Sequence, residues 1–390
     1  MPNTKPTNES QSTKTTTALF STLQDTVHQY LRLDKSNDYF IDLVLASAIS
    51  LELENPLWAM IEAPSSSGKT EILRLLKNVE HFHKMYTITR KALFSGHKES
   101  NGGFIPHIIG EKGILCFPDF TTVMSMRTDD KSEVFNQLRV AYDGEAGSAT
   151  GVDPDSIVIW EGKLSCLACV TGAIEKYKEQ ATDLGERFLY LHHQVPKFDP
   201  KYKVNPKKKV LSEIAARQAQ SLIELAQSEL SEVKLTDDDH ELLNRLGQLI
   251  AMTRAVIEHS SGGSKREILH VHPAEEPYRV IEQLEVVLRC LKSIHGSTAE
   301  RPYKVLKAVA ISSVPENRWK LMRVLIKKGP KAISSLAIEA GMVETTTRRV
   351  AEDLEMLGIF ETLVTLGKRN ADVFSLVEEV RKEIAGLRLK

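Results

Sequence analysis

Residues Ala63–Thr70 read A-P-S-S-S-G-K-T, and they decide how the chain is interpreted. They follow the apolar run LWAMIEA, Leu57–Ala63, and precede an amphipathic segment, Glu71–Val79. Only the first position departs from the phosphate-loop pattern G-x-x-x-x-G-K-[ST], because Ala63 stands where glycine is usual. A strand before the loop and a helix after it form the context in which this pattern binds phosphate. The alternative is a serine-rich turn that ends in Gly-Lys-Thr by coincidence.

The residue types of this loop suit the phosphates of a nucleotide. Small residues let backbone N–H groups point inward at phosphate oxygens, and the positive end of the following helix adds to the attraction. Gly68 allows close approach, Lys69 can reach the β- and γ-phosphates, and the Thr70 hydroxyl can ligate Mg²⁺. The predicted ATP- and Mg²⁺-binding residues are Ala63, Pro64, Ser65, Ser66, Ser67, Gly68, Lys69 and Thr70.

A phosphate loop also needs an acidic group at the end of a neighbouring strand to hold the metal. Asp119 follows the apolar run GILCF, Gly113–Phe117, and is the candidate second metal residue. The alternative is an aspartate that only caps the next helix. The residue after it is Phe120, where many such ATPases carry a water-activating glutamate. Glu133 and Glu145 are the other candidates for that base, so the sequence predicts nucleotide binding and leaves hydrolysis open.

Strand-like and helix-like segments alternate along the first half of the chain. Further strands are predicted over Ile157–Trp160, Leu164–Thr171 and Arg187–His192, and a helix over Ser132–Tyr142. This alternation indicates a mostly parallel sheet covered on both faces, hence an α/β P-loop NTPase core. From Val210 to about Ser313 the pattern is helical and predicts an all-α lid. The predicted domains are a disordered tail (1–17), the core with its N-terminal helices (18–196), the lid (197–314) and a final domain (315–390).

Later segments carry a family resemblance. The segments are QLRVAYDG (Gln137–Gly144), LSCLACVT (Leu164–Thr171), LGERFLYLHH (Leu184–His193) and EEPYRVIEQLEVVLR (Glu275–Arg289). Together with the phosphate loop and Asp119, they resemble the AAA+ superfamily. The branch they resemble has an insert in the second helix and includes the minichromosome maintenance helicases and compact mobile-element relatives.

The resemblance implies roles for three further residues and an assembly. Thr171 would stand at the position that senses the γ-phosphate, Arg187 would be an arginine finger for a neighbouring subunit, and Arg279 would be the second sensor. The implied catalytic set is Lys69, Asp119, Thr171, Arg187 and Arg279, in a homo-oligomer that forms a ring or hexamer. Guanidinium groups stabilise charge on the transferring phosphoryl group. The alternatives are that Arg187 pairs with Asp183 or Glu186 at the surface, and that Arg279 is a solvated helix residue.

The carboxyl-terminal block has the element order of a winged helix-turn-helix. Three helices are predicted over Trp319–Lys328, Ile333–Ala340 and Thr345–Leu357, and two strands over Ile359–Leu366 and Val373–Leu376. The predicted DNA-binding residues are Thr345, Thr346, Arg348 and Arg349 at the start of the recognition helix, and Lys368 and Arg369 at the tip of the wing. The block carries 14 basic and 11 acidic residues. The alternative is a winged helix that contacts protein.

The composition excludes several classes of protein. With 390 residues, 42% of them hydrophobic and 26% charged, the chain suits two or three globular domains. The 51 basic and 52 acidic residues give no global basic field, so any DNA contact needs a local patch. Val195–Val210, with six lysines, is either such a patch or a solvated linker. Few cysteines, no long apolar run and no apolar signal core favour a cytoplasmic protein without membrane contact.

These features together predict an ATP-binding AAA+ protein that acts as an oligomer on DNA. The first hypothesis is a DNA-dependent ATPase, helicase-like or DNA-remodelling. The alternative is a nucleotide-switched DNA-binding regulator with little or no hydrolysis, which Phe120 favours. A third is an interaction scaffold whose winged helix binds protein.

Overall fold

The computed structural model describes residues 11–34, 38–95, 102–150, 153–172, 187–197, 199–201, 203–260, 268–363 and 372–387. The chain divides into two compact units. Unit 1 comprises Met1–Leu235 and Glu282–Ala308, and unit 2 comprises Thr236–Ile281 and Val309–Lys390. The predicted lid, residues 197–314, is therefore divided between the two units.

The elements are numbered in chain order. The helices are α1 Gln11–Tyr30, α2 Tyr39–Ile49, α3 Lys69–Leu73, α4 Thr121–Met124, α5 Thr128–Tyr142, α6 Lys208–Glu229, α7 Asp237–Arg254, α8 Tyr278–His295, α9 Glu300–Ser313, α10 Glu316–Lys328, α11 Ile333–Ala340, α12 Glu344–Met356 and α13 Glu378–Leu387. The strands are β1 Trp58–Glu62, β2 Phe82–Lys84, β3 Lys112–Phe117, β4 Glu145–Thr150, β5 Asp153–Glu161, β6 Lys163–Val170, β7 Leu189–His192, β8 Ile257–His259, β9 Ile268–Val271, β10 Lys331–Ala332, β11 Phe360–Leu363 and β12 Val373–Leu376.

Unit 1 contains a five-stranded sheet with the order β2-β3-β6-β1-β7. Its neighbouring strands are parallel, which confirms the predicted parallel α/β core. Strands β3 and β6 are apolar almost throughout because helices cover both faces of a parallel sheet. One face packs on a buried cluster that includes Trp58, Phe120, Phe135 and Phe188. Strand β6 lies between β1 and β3, so the ends of these three strands meet at one edge.

One predicted strand of the sheet lies elsewhere. The run Ile157–Trp160 is part of β5, which pairs antiparallel with β4 in a two-stranded hairpin. Trp160 is buried and its Nε1 donates to the carbonyl oxygen of Gly110 at 2.6 Å. A short apolar run predicts a strand but not its partner, and here the adjacent β4 pairs with β5 before the main sheet can.

The amino-terminal helices of unit 1 begin earlier than expected. Helix α1 starts at Gln11, inside the segment predicted to be a disordered tail, and its Thr16 and Phe20 are buried. Helix α6, which the sequence assigns to the lid, packs on α1 and α2 within unit 1. The apolar face of α6 includes Ala215, Ala219 and Leu222, all fully buried. Packing against these helices therefore orders residues whose local composition is polar.

Unit 2 contains helix α7, the β8–β9 hairpin, helices α10 to α13 and a three-stranded sheet of order β10-β12-β11. The three helices and two strands predicted near the carboxyl terminus are present at those positions. Gly341 ends α11 in the left-handed conformation, at φ +66°, which suits glycine. Among the helices of the described ranges, none is both long and apolar enough to cross a bilayer.

Candidate nucleotide-binding site

The loop between β1 and α3 has the backbone that its sequence predicts. Ser66 and Gly68 both have positive φ, 62° and 92°. Gly68 tolerates this conformation, whereas Ser66 is strained, and such strain is typical of ligand-binding loops. The carbonyl oxygen of Gly68 accepts from the N–H groups of Glu71 and Ile72 at 3.0 and 3.1 Å, which starts α3. The predicted strand, loop and helix are therefore present, although α3 itself ends at Leu73 and continues as a 3₁₀ turn.

Lys69 spans the loop. Its Nζ donates to the carbonyl oxygens of Ala63 and Pro64 at 2.6 and 2.7 Å, which leaves one of the three ammonium hydrogens for another acceptor. Burial lowers the pKa of Lys69, while Cys169 and Asp119 act in the opposite direction. The amine is thus held in place before any phosphate is bound.

Ala63 fits the position where glycine is usual. Its side chain is buried, and its N–H donates to the carbonyl oxygen of Val170 at 3.1 Å. This bond joins the start of the loop to the end of β6. The loop therefore remains anchored to the sheet with alanine at its first position.

Thr70 and Asp119 are the two predicted metal residues, and both are exposed. Asp119 follows β3, and its Oδ1 accepts the N–H of Thr121 at 3.0 Å. That bond is the helix-capping contact weighed as an alternative. It occupies one carboxylate oxygen, so the capping contact does not exclude a metal role through Oδ2.

Phe120 lies in the core and cannot take part in chemistry at the sheet edge. It is fully buried, with its ring centroid 5.1 Å from that of Phe117. The two other candidates for a base also have structural surroundings. Glu133 on α5 accepts from Gln137 Nε2 at 3.2 Å, and Glu145 lies on the β4–β5 hairpin opposite Glu161.

Sequence reasoning missed two side chains that lie beside the loop. Glu62, the last residue of β1, lies with its Oε2 3.0 Å from His192 Nε2 on β7. Glu62 and His192 are also opposite each other in the register of the two parallel strands. The signal available in the sequence was polar residues at the ends of two apolar strands, Glu62 directly before the loop and the pair His192-His193 after LYL.

His193 lies against the other side of the loop. It is buried, and its ring centroid is 4.2 Å from that of Phe40. Burial lowers the pKa of His193 to about 4, and the Lys69 ammonium contributes to that lowering. The imidazole is therefore neutral at physiological pH and adds no charge to the site.

The structure gives Arg187 a partner within its own chain. Its side chain is 9% exposed, its NH2 lies 3.3 Å from Asp143 Oδ2, and its guanidinium lies over the Tyr142 ring at 5.3 Å. The expected surface partners Asp183 and Glu186 lie outside the described residues. An arginine buried this deeply cannot reach a neighbouring subunit in this arrangement, so the geometry argues against the predicted finger.

The other predicted residues have different placements. Thr171 directly follows β6 at the loop edge and is half-buried. Arg279 is on α8 in unit 2, whereas the phosphate loop is in unit 1.

At the start of α12, Thr345 and Arg349 are exposed and Thr346 is half-buried. Arg348 forms an ion pair with Asp372, next to β12. Lys368 and Arg369, the predicted wing tip, lie outside the described residues.

Comparison with known proteins gives only distant structural likeness. No protein-family model and no curated protein matches this chain. Among solved structures, it is similar to an ATPase candidate from Cytophaga hutchinsonii ATCC 33406, with a TM-score of 0.42 and 10% identity over 78% of this chain and 88% of that one. It is also similar to the NrS-1 C-terminal region, with a TM-score of 0.31 and 14% identity over 96% and 77%. The third likeness is to the Aeropyrum pernix Orc1 protein in complex with DNA, with a TM-score of 0.25 and 12% identity over 89% and 91%. TM-scores this low do not establish a shared fold.

Proposed function

We propose that this chain is a P-loop ATPase of the AAA+ type that binds ATP with Mg²⁺ and acts on DNA as an oligomer. One observation carries the nucleotide proposal. The loop after β1 holds the Lys69 amine across its own backbone, and Asp119 lies at the same edge of the sheet, after β3. An edge where several parallel strands end is where open α/β sheets bind their ligands.

The residues present fit Mg²⁺ and a triphosphate. Mg²⁺ is usually bound by one or two protein oxygens together with substrate phosphates and water, and the exposed Thr70 and Asp119 provide such oxygens. Ser67 Oγ is buried without a hydrogen-bond partner, so the loop has a donor to offer to a phosphate oxygen. When bound, the metal bridges phosphate oxygens and neutralises their charge. Lys69 adds a positive charge at the same place, and we assign Thr171 and Arg279 to γ-phosphate sensing.

The DNA part of the proposal is supported by unit 2. Helices α10 to α12 followed by β11 and β12 have the order of a winged helix-turn-helix, in which the third helix enters the major groove. Thr345 and Arg349 are exposed at the start of that third helix. They offer a hydroxyl and a guanidinium to base edges or phosphates.

The test of the nucleotide proposal is Lys69→Ala. We expect it to abolish binding of a fluorescent ATP analogue while far-UV circular dichroism stays unchanged, because Lys69 contacts only its own loop. Lys91→Ala, at an exposed lysine of the same unit, is the matched control and should bind normally. Retained affinity in a folded Lys69→Ala variant would contradict the phosphate-loop assignment.

A second candidate is a nucleotide-switched DNA-binding regulator with little hydrolysis. The burial of Phe120 and the pairing of Arg187 with Asp143 favour it, since both remove groups that usually promote hydrolysis. ATP turnover measured with single-stranded DNA, with duplex DNA and without DNA separates the two. Turnover that DNA stimulates supports the ATPase, whereas tight ATP binding with none, and ATP-dependent assembly in light scattering, supports the regulator.

A further inference from the structure

The reaction proposed above needs a group that takes a proton from the attacking water, and the usual position for it is closed. That position follows Asp119, where Phe120 is fully buried and its ring packs among those of Phe117, Phe135 and Phe188. The backbone N–H of Phe120 donates to the carbonyl oxygen of Cys169 at 2.8 Å, which fixes this residue to the end of β6. A base must therefore come from another element.

Within the described part of the chain, two carboxylates lie where strands of the main sheet end. They are Asp119 after β3 and Glu62 at the end of β1. Asp119 is exposed and is assigned to the metal. Glu62 is directly before Ala63, the first residue of the phosphate loop, and its backbone oxygen accepts the N–H of His193 at 2.8 Å. Its position is therefore fixed relative to the loop by the sheet itself.

The two oxygens of Glu62 have different neighbours. Oε2 lies 3.0 Å from His192 Nε2, and the Glu62 side chain is only 11% exposed. Oε1 lies 3.8 Å from the place where a side chain at Gly172 would begin, so it faces the backbone just after Thr171. Since Thr171 stands at the position assigned to γ-phosphate sensing, Oε1 faces the segment where the terminal phosphate would lie. Gly172 leaves that approach open.

We propose that Glu62 is the general base of the hydrolysis, with His192 as a positioning residue. This inference rests on the proposed ATPase function. Glu62 accepts a proton from water as the water oxygen forms a bond to the γ-phosphorus. The bond from that phosphorus to the β–γ bridging oxygen breaks, and ADP leaves with the electron pair. The proton then passes from Glu62 to the departing phosphate or to solvent, which restores the carboxylate.

His192 holds Glu62 in this role. An imidazole beside one carboxylate oxygen limits the rotamers of Glu62 and leaves the other oxygen for water. Since β1 and β7 are adjacent parallel strands, the sheet sets the separation of the two side chains. The pair thus places an oriented carboxylate beside the phosphate loop without any residue from β3.

The experiment compares Glu62→Gln with wild type and with Glu133→Gln, a control at another carboxylate of unit 1. Glutamine keeps the size of the side chain and removes its basicity. We expect the affinity for a fluorescent ATP analogue to change less than threefold, while kcat falls by about 10²- to 10⁴-fold, the usual contribution of a general base. Nucleotide extracted from the variant after incubation should be ATP, whereas wild type and Glu133→Gln should contain ADP.

The outcomes are distinct. Wild-type turnover with near-normal turnover in Glu62→Gln would overturn the role of Glu62 and leave the ATPase standing. Loss of nucleotide binding in Glu62→Gln would also overturn it, since Glu62 would then serve the fold or the loop. A wild type that binds ATP and never hydrolyses it, with or without DNA, would overturn both hydrolysis and this inference.

A second pair of variants tests His192. His192→Gln keeps a hydrogen-bond donor for Glu62, and His192→Leu does not. We expect Leu to lower kcat by roughly tenfold or more and Gln to retain most of it, while KM stays the same in both. Equal effects of the two substitutions, or an effect on KM alone, would contradict the positioning role.

Discussion

Replacing Arg301 with alanine should strongly destabilise unit 1. Arg301, on α9, donates to both oxygens of Asp42 and to Asp38 Oδ1, at distances between 2.6 and 3.2 Å. The side chains of Asp38 and Asp42 are fully buried. Without the guanidinium, two buried carboxylates would keep only His28 and Gln24 near Asp38, and His295 near Asp42.

The magnitude follows from the burial of these charges. Removing one partner of a buried ion pair costs about 3–5 kcal/mol because the remaining charge is left uncompensated. For a unit of this size, 1 kcal/mol corresponds to about 2–4 °C in Tm, so we expect a decrease on the order of 10 °C. The effect should depend on pH. Burial alone would raise the pKa of Asp38, but hydrogen bonds from His28 and Arg301 outweigh it and keep this pKa below its usual value.

The sign of the pH dependence is therefore defined. A carboxyl whose folded pKa is lowered stabilises the protein above its unfolded pKa, about 3.9, and this contribution is lost as pH falls through the folded pKa. Wild type and Arg301→Ala should thus differ most near neutral pH and converge in strong acid. Urea unfolding followed by circular dichroism and by loss of ATP-analogue binding reports on unit 1 at each pH.

Two further variants complete this test. Lys304→Ala, three residues along the same helix, breaks an exposed pair with Glu300 and should have no measurable effect. Adding Asp42→Asn to Arg301→Ala should restore part of the lost stability, because it removes one uncompensated charge. An Arg301→Ala variant within 1 kcal/mol of wild type at pH 7, flagged here as about the error of the method, would refute the reasoning from buried charge.

Two other predictions concern the loop and unit 2. Since the pKa of His193 is lowered to about 4, against about 6.5 in the unfolded chain, up to about 3 kcal/mol of stability should be lost as pH falls from about 6.5 to about 4. His193→Phe should remove this loss, and unchanged acid sensitivity in unfolding curves would count against a buried neutral imidazole. Arg349→Ala should reduce the salt slope of duplex binding by about 0.9. Arg348→Ala should reduce it less because Arg348 pairs with Asp372, and equal effects in salt titrations would contradict that difference.

Local pattern was sufficient where the structure depends on short-range backbone preferences. The loop between β1 and α3, the parallel sheet and the helices and strands near the carboxyl terminus could be predicted from residue type and spacing. Gly68 illustrates why, since its positive φ follows from the residue itself and from the turn it occupies.

Tertiary packing decided what local pattern left open. The strand β5 pairs with β4 outside the main sheet, and α6 packs on α1 and α2 in unit 1. An apolar face specifies that a segment must be buried, but the choice among several apolar partners depends on the whole chain.

The functional side chains show the same division. The sequence by itself determined that Lys69, Thr70 and Asp119 come directly after strands, and therefore lie at the sheet edge. It could not show that Phe120 is buried, that Arg187 pairs with Asp143, or that Glu62 meets His192. These contacts join residues far apart in the chain. Only the order and register of the strands bring them within hydrogen-bonding distance.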